Sequence, residues 1–347
     1  MTLPWSTKST VERSIGGAVL VLALLGPAVF NDYWVSFILT QTFLMGIAAA
    51  SLIFLSAYGG MVSLAQVALY GIAGFALGNM VTEGEVKGLA LGWNPWLGVV
   101  LAILITTAVG LVFGAVASRS AGIYFLMITL TYAVIANYFF GQVTLVSGFS
   151  GISGIDNYAP GFVGAGDPTR LYYIALVVAI LVYLAIRLVL RTPFGVALQG
   201  VRDEPVRMSS LGYSVPLHRT LAFGFAALIA SLAGVLYVWW NGQIDPATIG
   251  LQGTIDLLVI AVIGGLLRVE GAWLGAFAFI VINNYVRDVS VPLVGGSFNT
   301  IIGLTFLAIV IVSPDGLVGL WDRIWRIATR RRGPTGPPLA EVAPSQN

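Results

Sequence analysis

The feature that most constrains this chain is a series of apolar runs, each long enough to cross a membrane as a helix. A transmembrane helix needs about 20 mostly apolar residues. Charged residues make up only 9% of the 347-residue chain, whereas soluble domains carry about 25%. The sequence therefore predicts an all-α polytopic integral membrane protein with about ten transmembrane helices. The runs cover residues 13–30, 35–57, 61–82, 95–117, 121–143, 171–190, 217–240, 253–267, 271–286 and 299–313.

Three of these runs allow more than one interpretation. Runs 253–267 and 271–286 are short, and they could be tilted helices, half-helices or one broken hairpin. The first run, 13–30, follows a basic start as a signal peptide does, but no clear small-x-small cleavage site precedes Asn31. We therefore interpret it as a retained helix.

The distribution of basic residues predicts the orientation of the chain. When the runs are threaded alternately with the N-terminus inside, only Lys87, Arg170 and Arg287 of the seventeen Lys and Arg residues fall outside. An excess of basic residues on the cytoplasmic side is typical of polytopic membrane proteins. We therefore expect a multi-pass protein of the cytoplasmic (inner) membrane with both termini in the cytoplasm.

The same threading divides the chain into segments. A cytoplasmic N-terminus (1–12) precedes the transmembrane domain (13–313), which carries an external loop (144–170) and a cytoplasmic loop (191–216). The glycine-rich external loop could dock a protein or act as a flexible connector. Interleaved tryptophan and arginine residues predict an interfacial basic helix over 314–332, and the proline-containing tail 333–347 is expected to be disordered.

The composition also excludes several kinds of chemistry. The chain has no cysteine and one histidine, His218, so thiolate and multi-histidine metal sites are impossible. Its two lysines, Lys8 and Lys87, do not lie in the Gly-Lys-Ser/Thr sequence of a P-loop. No pair of carboxylates lies within an apolar run, which argues against a proton-driven pump. We expect a transporter subunit without cofactor or metal, and not an enzyme.

The cytoplasmic loop has the signals of a short surface helix. Pro193 can occupy a first helical turn, residues 201–211 are polar and compatible with a helix, and Gly212 and Pro216 follow as a cap and a stop. The loop could simply anchor two spans, or it could dock a cytoplasmic protein. The docking interpretation assigns the contacts to Arg202, Asp203, Glu204, Arg207, Met208, Leu211 and Gly212.

Several motifs of the chain resemble those of the permeases of branched-chain amino-acid ABC importers, the LivM type. The cytoplasmic loop follows the pattern T-P-x-G-x-x-L-x-x-x-R-(D/E)-(D/N)-E, with matches at Thr192, Pro193, Gly195, Leu198, Arg202, Asp203 and Glu204. Segments 59–75, 122–130, 264–275 and 314–319 resemble further motifs of these permeases, in the same order. In the fourth segment, Arg268 and Glu270 replace small residues.

The resemblance implies a function and a set of partners. The chain would pair with a homologous LivH-type permease, two cytoplasmic ATPase subunits and an extracytoplasmic substrate-binding protein. It would move branched-chain or related hydrophobic amino acids by alternating access, with residues 201–212 as the coupling helix. The alternatives are a permease of the same kind for urea or small amides, and a secondary carrier that works without ATP.

Polar residues within the apolar runs are candidates for the substrate path. Such residues can line a path, or they can form hydrogen bonds between helices. The candidates are Ser63, Gln66, Asn79, Thr129, Thr131 and Asn137.

Overall fold

A computed structural model describes residues 21–83, 88–161 and 168–294, together with residues 303–304, 307 and 316–319. The predicted N-terminus (1–12), the last run (299–313), the interfacial helix (314–332) and the tail (333–347) lie wholly or mainly outside these residues. The described α-helices are α1 (Gly26–Val29), α2 (Thr40–Gly59), α3 (Gln66–Val81), α4 (Pro95–Ala117), α5 (Ile123–Gln142), α6 (Pro168–Arg191), α7 (Pro193–Asp203), α8 (Pro205–Ser210), α9 (Val215–Asn241), α10 (Leu251–Gly264) and α11 (Gly271–Val294).

Five of the described helices are long and apolar enough to span a membrane. They are Trp34–Gly59, in which a π-helical segment continues into α2, and Pro95–Ala117, Ile123–Gln142, Thr169–Arg191 and Val215–Asn241. Each coincides with a predicted run. The runs 61–82, 253–267 and 271–286 also contain helices, of which α3 and α10 are shorter than predicted. The total of ten spans stays a prediction.

Two of the candidate spans form the centre of the bundle. Buried residues make up 78% of the apolar window of Trp34–Gly59 and 72% of that of Val215–Asn241, but only 22–28% for α4, α5 and α6. The short helix α3 packs against α4 and α9 and is also almost wholly buried. The apolar side chains of α4, α5 and α6 thus form much of the outer surface, as lipid contact requires.

Contacts among the loops define two ends of the bundle. At one end Arg202 reaches α2, Thr220 bonds Ser118, and Ser56 bonds the Leu266 carbonyl oxygen. We call this the basic end; it comprises residues 57–60 and the loops 118–122, 191–214 and 265–270. The opposite end comprises the described parts of loops 82–94, 143–161 and 242–250, which are joined by hydrogen bonds and a short β-ladder.

The external loop has a defined structure that the sequence did not predict. Strand β1 (Ile152–Ser153) pairs antiparallel with β2 (Gln243–Ile244), in the register Ile152 to Ile244. Gly151 has a positive φ of 70°, and a side chain there would overlap the Ile244 carbonyl oxygen. Residues 144–161 are therefore tied to the segment that follows α9.

The two short runs near the C-terminus form an antiparallel helical hairpin. Helix α10 has 14 residues, which gives a length of about 21 Å, too short for a hydrocarbon core of about 30 Å. Side chains at Gly264, Gly271 or Gly275 would overlap the backbone of the hairpin itself. Helix α10 is therefore too short to span the core by itself, and the role of the two runs as spans stays a prediction.

Candidate functional site

The loop predicted to be cytoplasmic, 191–216, folds as two helices, and the prediction of one helix over 201–211 was wrong. Helix α7 begins at Pro193, with the Thr192 hydroxyl accepting a hydrogen bond from the Gly195 N–H. It ends at Asp203, because Glu204 has φ −141° and ψ 73°, and Pro205 opens α8. A residue before proline disfavours the helical conformation, and this explains the break at Glu204.

At the end of the loop, the structure agrees with the prediction for Gly212 and differs from the prediction for Pro216. Gly212 has a positive φ of 90° directly after α8 and its capping residue Leu211, as predicted for a helix cap. Pro216, which was expected to stop the helix, instead lies in the first turn of α9. A first turn does not need the N–H that proline lacks, so proline is favoured there.

The two loop helices differ in burial. Helix α7 packs against α2, α6 and α9, with Leu198 and Val201 fully buried. None of the side chains of α8 is buried, and Val206 is 77% exposed. Arg207 and Leu211 are also exposed, and Met208 packs on Gly200 of α7. Helix α7 is thus part of the bundle, whereas α8 forms a protruding surface of mixed apolar and charged character.

Two apolar residues of this surface were missed by the sequence analysis. Val206 and Tyr213 are both exposed, the latter at 45%. Each is an apolar or aromatic residue within a polar segment, and this pattern could have predicted an exposed contact surface. We call Val206, Arg207, Leu211 and Tyr213 the α8 surface.

Arg202, one of the predicted docking residues, bridges α7 and the end of α2, and its side chain stays 34% exposed. Its Nη1 donates a hydrogen bond to the Ala57 carbonyl oxygen near the end of α2. Its Nε donates to Asp203 Oδ1 over 2.7 Å. This bond lowers the pKa of the exposed Asp203 carboxyl below its ordinary value.

A second charged contact at the basic end joins α6 to the turn of the hairpin. Arg187 forms an ion pair with Glu270, and the Tyr183 hydroxyl donates to the same carboxylate over 2.9 Å. Glu270 is one of the positions at which the chain departs from the small residues of the resembled motif. This contact was not predicted.

Three of the six predicted path residues surround one buried segment, residues 63–66, and we call the hydrogen bonds made by this segment the buried network. Gln66 Nε2 donates to Ser63 Oγ over 3.4 Å, and Thr129 Oγ1 accepts from the Leu64 N–H over 3.1 Å. The network also includes Ser51 of α2, whose hydroxyl donates to Gln66 Oε1 over 3.0 Å. Ser51 was missed; its only sequence signal was a polar residue within an apolar run.

The network surrounds a non-helical segment inside the bundle. After Gly60 the chain is not helical until Gln66, yet Ser63 and Ala65 are fully buried. Ser51 lies eight residues before the end of α2, which places the network about 12 Å from the basic end. Irregular backbone at membrane depth is tolerated only when it is enclosed by protein or lines a cavity, because its polar groups need partners.

The other three predicted path residues lie elsewhere. Asn79 bonds the Phe75 carbonyl oxygen and the Leu89 N–H near the opposite end. Thr131 is exposed and bonds only the Met127 carbonyl oxygen of its own helix. Asn137 donates to the Pro246 carbonyl oxygen over 2.6 Å. None of the three joins the network around Gln66.

Comparison with known protein families gives this arrangement a context. Residues 34–312 match the family described as "branched-chain amino acid transport system / permease component". The chain belongs to this family. The match extends from the first residue of the π-helical segment before α2 to the region beyond α11, so it includes both the buried network and the α8 surface.

Individual members of the permease family are similar over most of their length. The LivM permease protein of Salmonella typhimurium is 26% identical over 82% of this chain and 71% of its own length. A probable LivM protein of Methanocaldococcus jannaschii is 25% identical over 79% and 84%, respectively. A probable LivH protein of the same organism is 24% identical over 74% of this chain and 86% of its own length. No solved structure gives a significant match.

These relatives are permease components of transporters and not enzymes. Similarity to both LivM and LivH proteins indicates a transport system with a second permease. The chain is thus an all-α, multi-pass membrane permease of the branched-chain amino acid family.

Proposed function

We propose that this chain is one permease subunit of an ATP-binding-cassette importer that moves branched-chain or related hydrophobic amino acids across the cytoplasmic membrane. Family membership supports the substrate class. The two lysines lie outside any P-loop sequence, so ATP hydrolysis is assigned to two separate cytoplasmic subunits. Transport would proceed by alternating access, with both termini in the cytoplasm.

The observation that carries this proposal is the protruding α8 surface at the basic end. Val206 and Leu211 offer apolar contacts, and Asp203, Glu204 and Arg207 offer charged contacts beside them. Such a surface fits a groove on another protein. We assign it to ATPase docking, with the buried helix α7 passing motion to the spans.

The remaining partners are assigned by position. A homologous LivH-type permease would contact the apolar outer surface of the bundle. An extracytoplasmic substrate-binding protein would dock at the opposite end, where residues 144–161 are held by the β-ladder. We place the substrate path beside Ser63, Gln66 and Thr129, where irregular backbone lies within the bundle.

The docking assignment can be tested by crosslinking, because the natural chain has no cysteine. A Val206→Cys variant is co-expressed with the second permease and the ATPases and treated with a short bifunctional reagent. We expect a covalent product with an ATPase subunit. Phe149→Cys is the matched control, since Phe149 is 91% exposed at the opposite end and should give no such product.

Failure of Val206→Cys to crosslink to an ATPase in an assembled, active complex would contradict the docking assignment. The wider proposal is tested by uptake into proteoliposomes. We expect ATP-dependent uptake of leucine, isoleucine or valine when the binding protein is present. Uptake of urea or small amides, without uptake of these amino acids, would indicate a permease for urea or small amides. Uptake that needs no ATP would indicate a secondary carrier.

A further inference from the structure

We propose that Arg202 is a positioning residue that transmits movement of the ATPase-docking surface to helix α2, and that it does not itself contact the ATPase. This inference rests on the proposed function, because it assumes that an ATPase binds the α8 surface. Its basis is the geometry of one side chain between two elements.

The Arg202 side chain connects α7 to the end of α2 by two kinds of contact. Its guanidinium donates to the Ala57 carbonyl oxygen. Its aliphatic stem lies over Gly60, where an added Cβ would be only 2.6 Å from Arg202 Cγ. Gly60 has a positive φ of 65° and caps α2, so both contacts are made where this helix ends.

The end of a helix is a favourable partner for an arginine. The last four carbonyl groups of a helix lack partners within it, and the helix dipole places partial negative charge there. Arg202 meets this charge with Nη1 while Nε holds Asp203 on α7. Because the guanidinium is rigid, planar and always charged, the bond to Asp203 orients it on α7 and the bond to Ala57 ties α7 to α2.

Helix α2 leads from this contact to the buried network. Ser51 lies two turns before the end of α2 and bonds Gln66 at the start of α3. A displacement of α7 would therefore pull on Ala57 and move α2. Because Ser51 of α2 bonds Gln66, the movement would reach the buried network. The neighbouring Arg207 lies on exposed α8, so Arg202 and Arg207 would have different roles.

The test compares Arg202→Gln with the matched control Arg207→Gln in the complete complex reconstituted in proteoliposomes. Three quantities are measured: the ATPase bound per permease, the rate of ATP hydrolysis, and the amino acid transported per ATP hydrolysed. We expect Arg202→Gln to keep its ATPase but to transport about tenfold less per ATP, the effect of losing one charge-assisted hydrogen bond. Arg207→Gln should bind less ATPase and keep the transport-to-hydrolysis ratio.

The conservative variant Arg202→Lys provides a second measurement that does not depend on the stability of Arg202→Gln. A lysine ammonium can bond the Ala57 carbonyl but lacks the planar fork, so we expect an intermediate ratio with normal assembly. An unchanged ratio in both Arg202 variants would overturn the inference. So would a loss of ATPase binding in Arg202→Gln equal to that in Arg207→Gln. If the unaltered chain recruits no ATPase, the proposed function itself fails.

Discussion

At the scale of single residues, Thr129 and Thr131 show how strongly surroundings determine a role. Both lie on α5 and were predicted as path residues. Thr129 is fully buried and accepts a hydrogen bond from the Leu64 N–H, whereas Thr131 is exposed and bonds only its own helix. The two positions therefore form a matched pair within one helix.

We expect Thr129→Val to lower the free energy of unfolding by about 1–3 kcal/mol, because the buried Leu64 N–H loses its partner. Thr131→Val should have almost no effect. Intrinsic tryptophan fluorescence during thermal unfolding in detergent would measure both variants. A stable Thr129→Val variant with an altered KM for uptake would instead assign Thr129 to direct contact with the substrate.

A second residue-scale prediction concerns Gly234, where α9 packs on α3. A side chain there would overlap the Tyr70 carbonyl oxygen and lie 3.1 Å from Ala73 Cβ. We expect Gly234→Ala to destabilise the bundle by about 1–3 kcal/mol, the usual cost of overpacking. Gly141→Ala is the control, because its new Cβ would lie 3.8 Å from Pro246, an ordinary contact. Equal melting temperatures of the two variants would contradict this packing.

At the scale of elements, the ion pair of Arg187 and Glu270 joins α6 to the hairpin turn beside the cytoplasmic loop. Both side chains are well exposed, at 50% and 40%, so screening by solvent keeps the pair weak. We expect a double-mutant cycle with Arg187→Gln and Glu270→Gln to give a coupling energy below about 1 kcal/mol. It should shrink further as salt approaches about 1 M, where the Debye length is about 3 Å. A larger, salt-independent coupling would show that the pair is desolvated in the assembled transporter.

The break between α7 and α8 also belongs to the scale of elements. Glu204 and Pro205 divide the loop into a buried helix and an exposed one, so the proposed docking and the proposed transmission would use separate helices. The chain contained the signal for this break in Pro205, but the prediction gave more weight to the polar run around it. The local rule for residues before proline prevailed because no packing opposes it at the exposed Glu204.

At the scale of the whole molecule, the arrangement of charge predicts which end faces the cytoplasm. Seven arginines of the described residues lie at or near the basic end: Arg119, Arg187, Arg191, Arg202, Arg207, Arg219 and Arg268. We expect a membrane-impermeant maleimide to label Val206→Cys only from the cytoplasmic side and Phe149→Cys only from outside. The reverse pattern would invert the topology and exclude ATPase docking at α8.

The sequence by itself determined the membrane environment and the position of most helices. These properties depend on local composition: long apolar runs, the bias of arginine between alternate loops, and a cap such as Gly212. The family resemblance, carried by short motifs in a fixed order, was confirmed by the match over residues 34–312.

Only the tertiary structure decided which polar residues belong together. Ser51, Ser63, Gln66 and Thr129 come from separate segments, and no local pattern distinguishes them from Thr131. The same is true of Arg202: the motif shows that a charged residue stands there, but it does not show which group the side chain contacts. Its partner, the Ala57 carbonyl, is a backbone group 145 residues away. Every residue has a backbone carbonyl, so the sequence cannot show which one is the partner. Long-range hydrogen bonds of this kind depend on packing, so only the tertiary structure shows which groups they join.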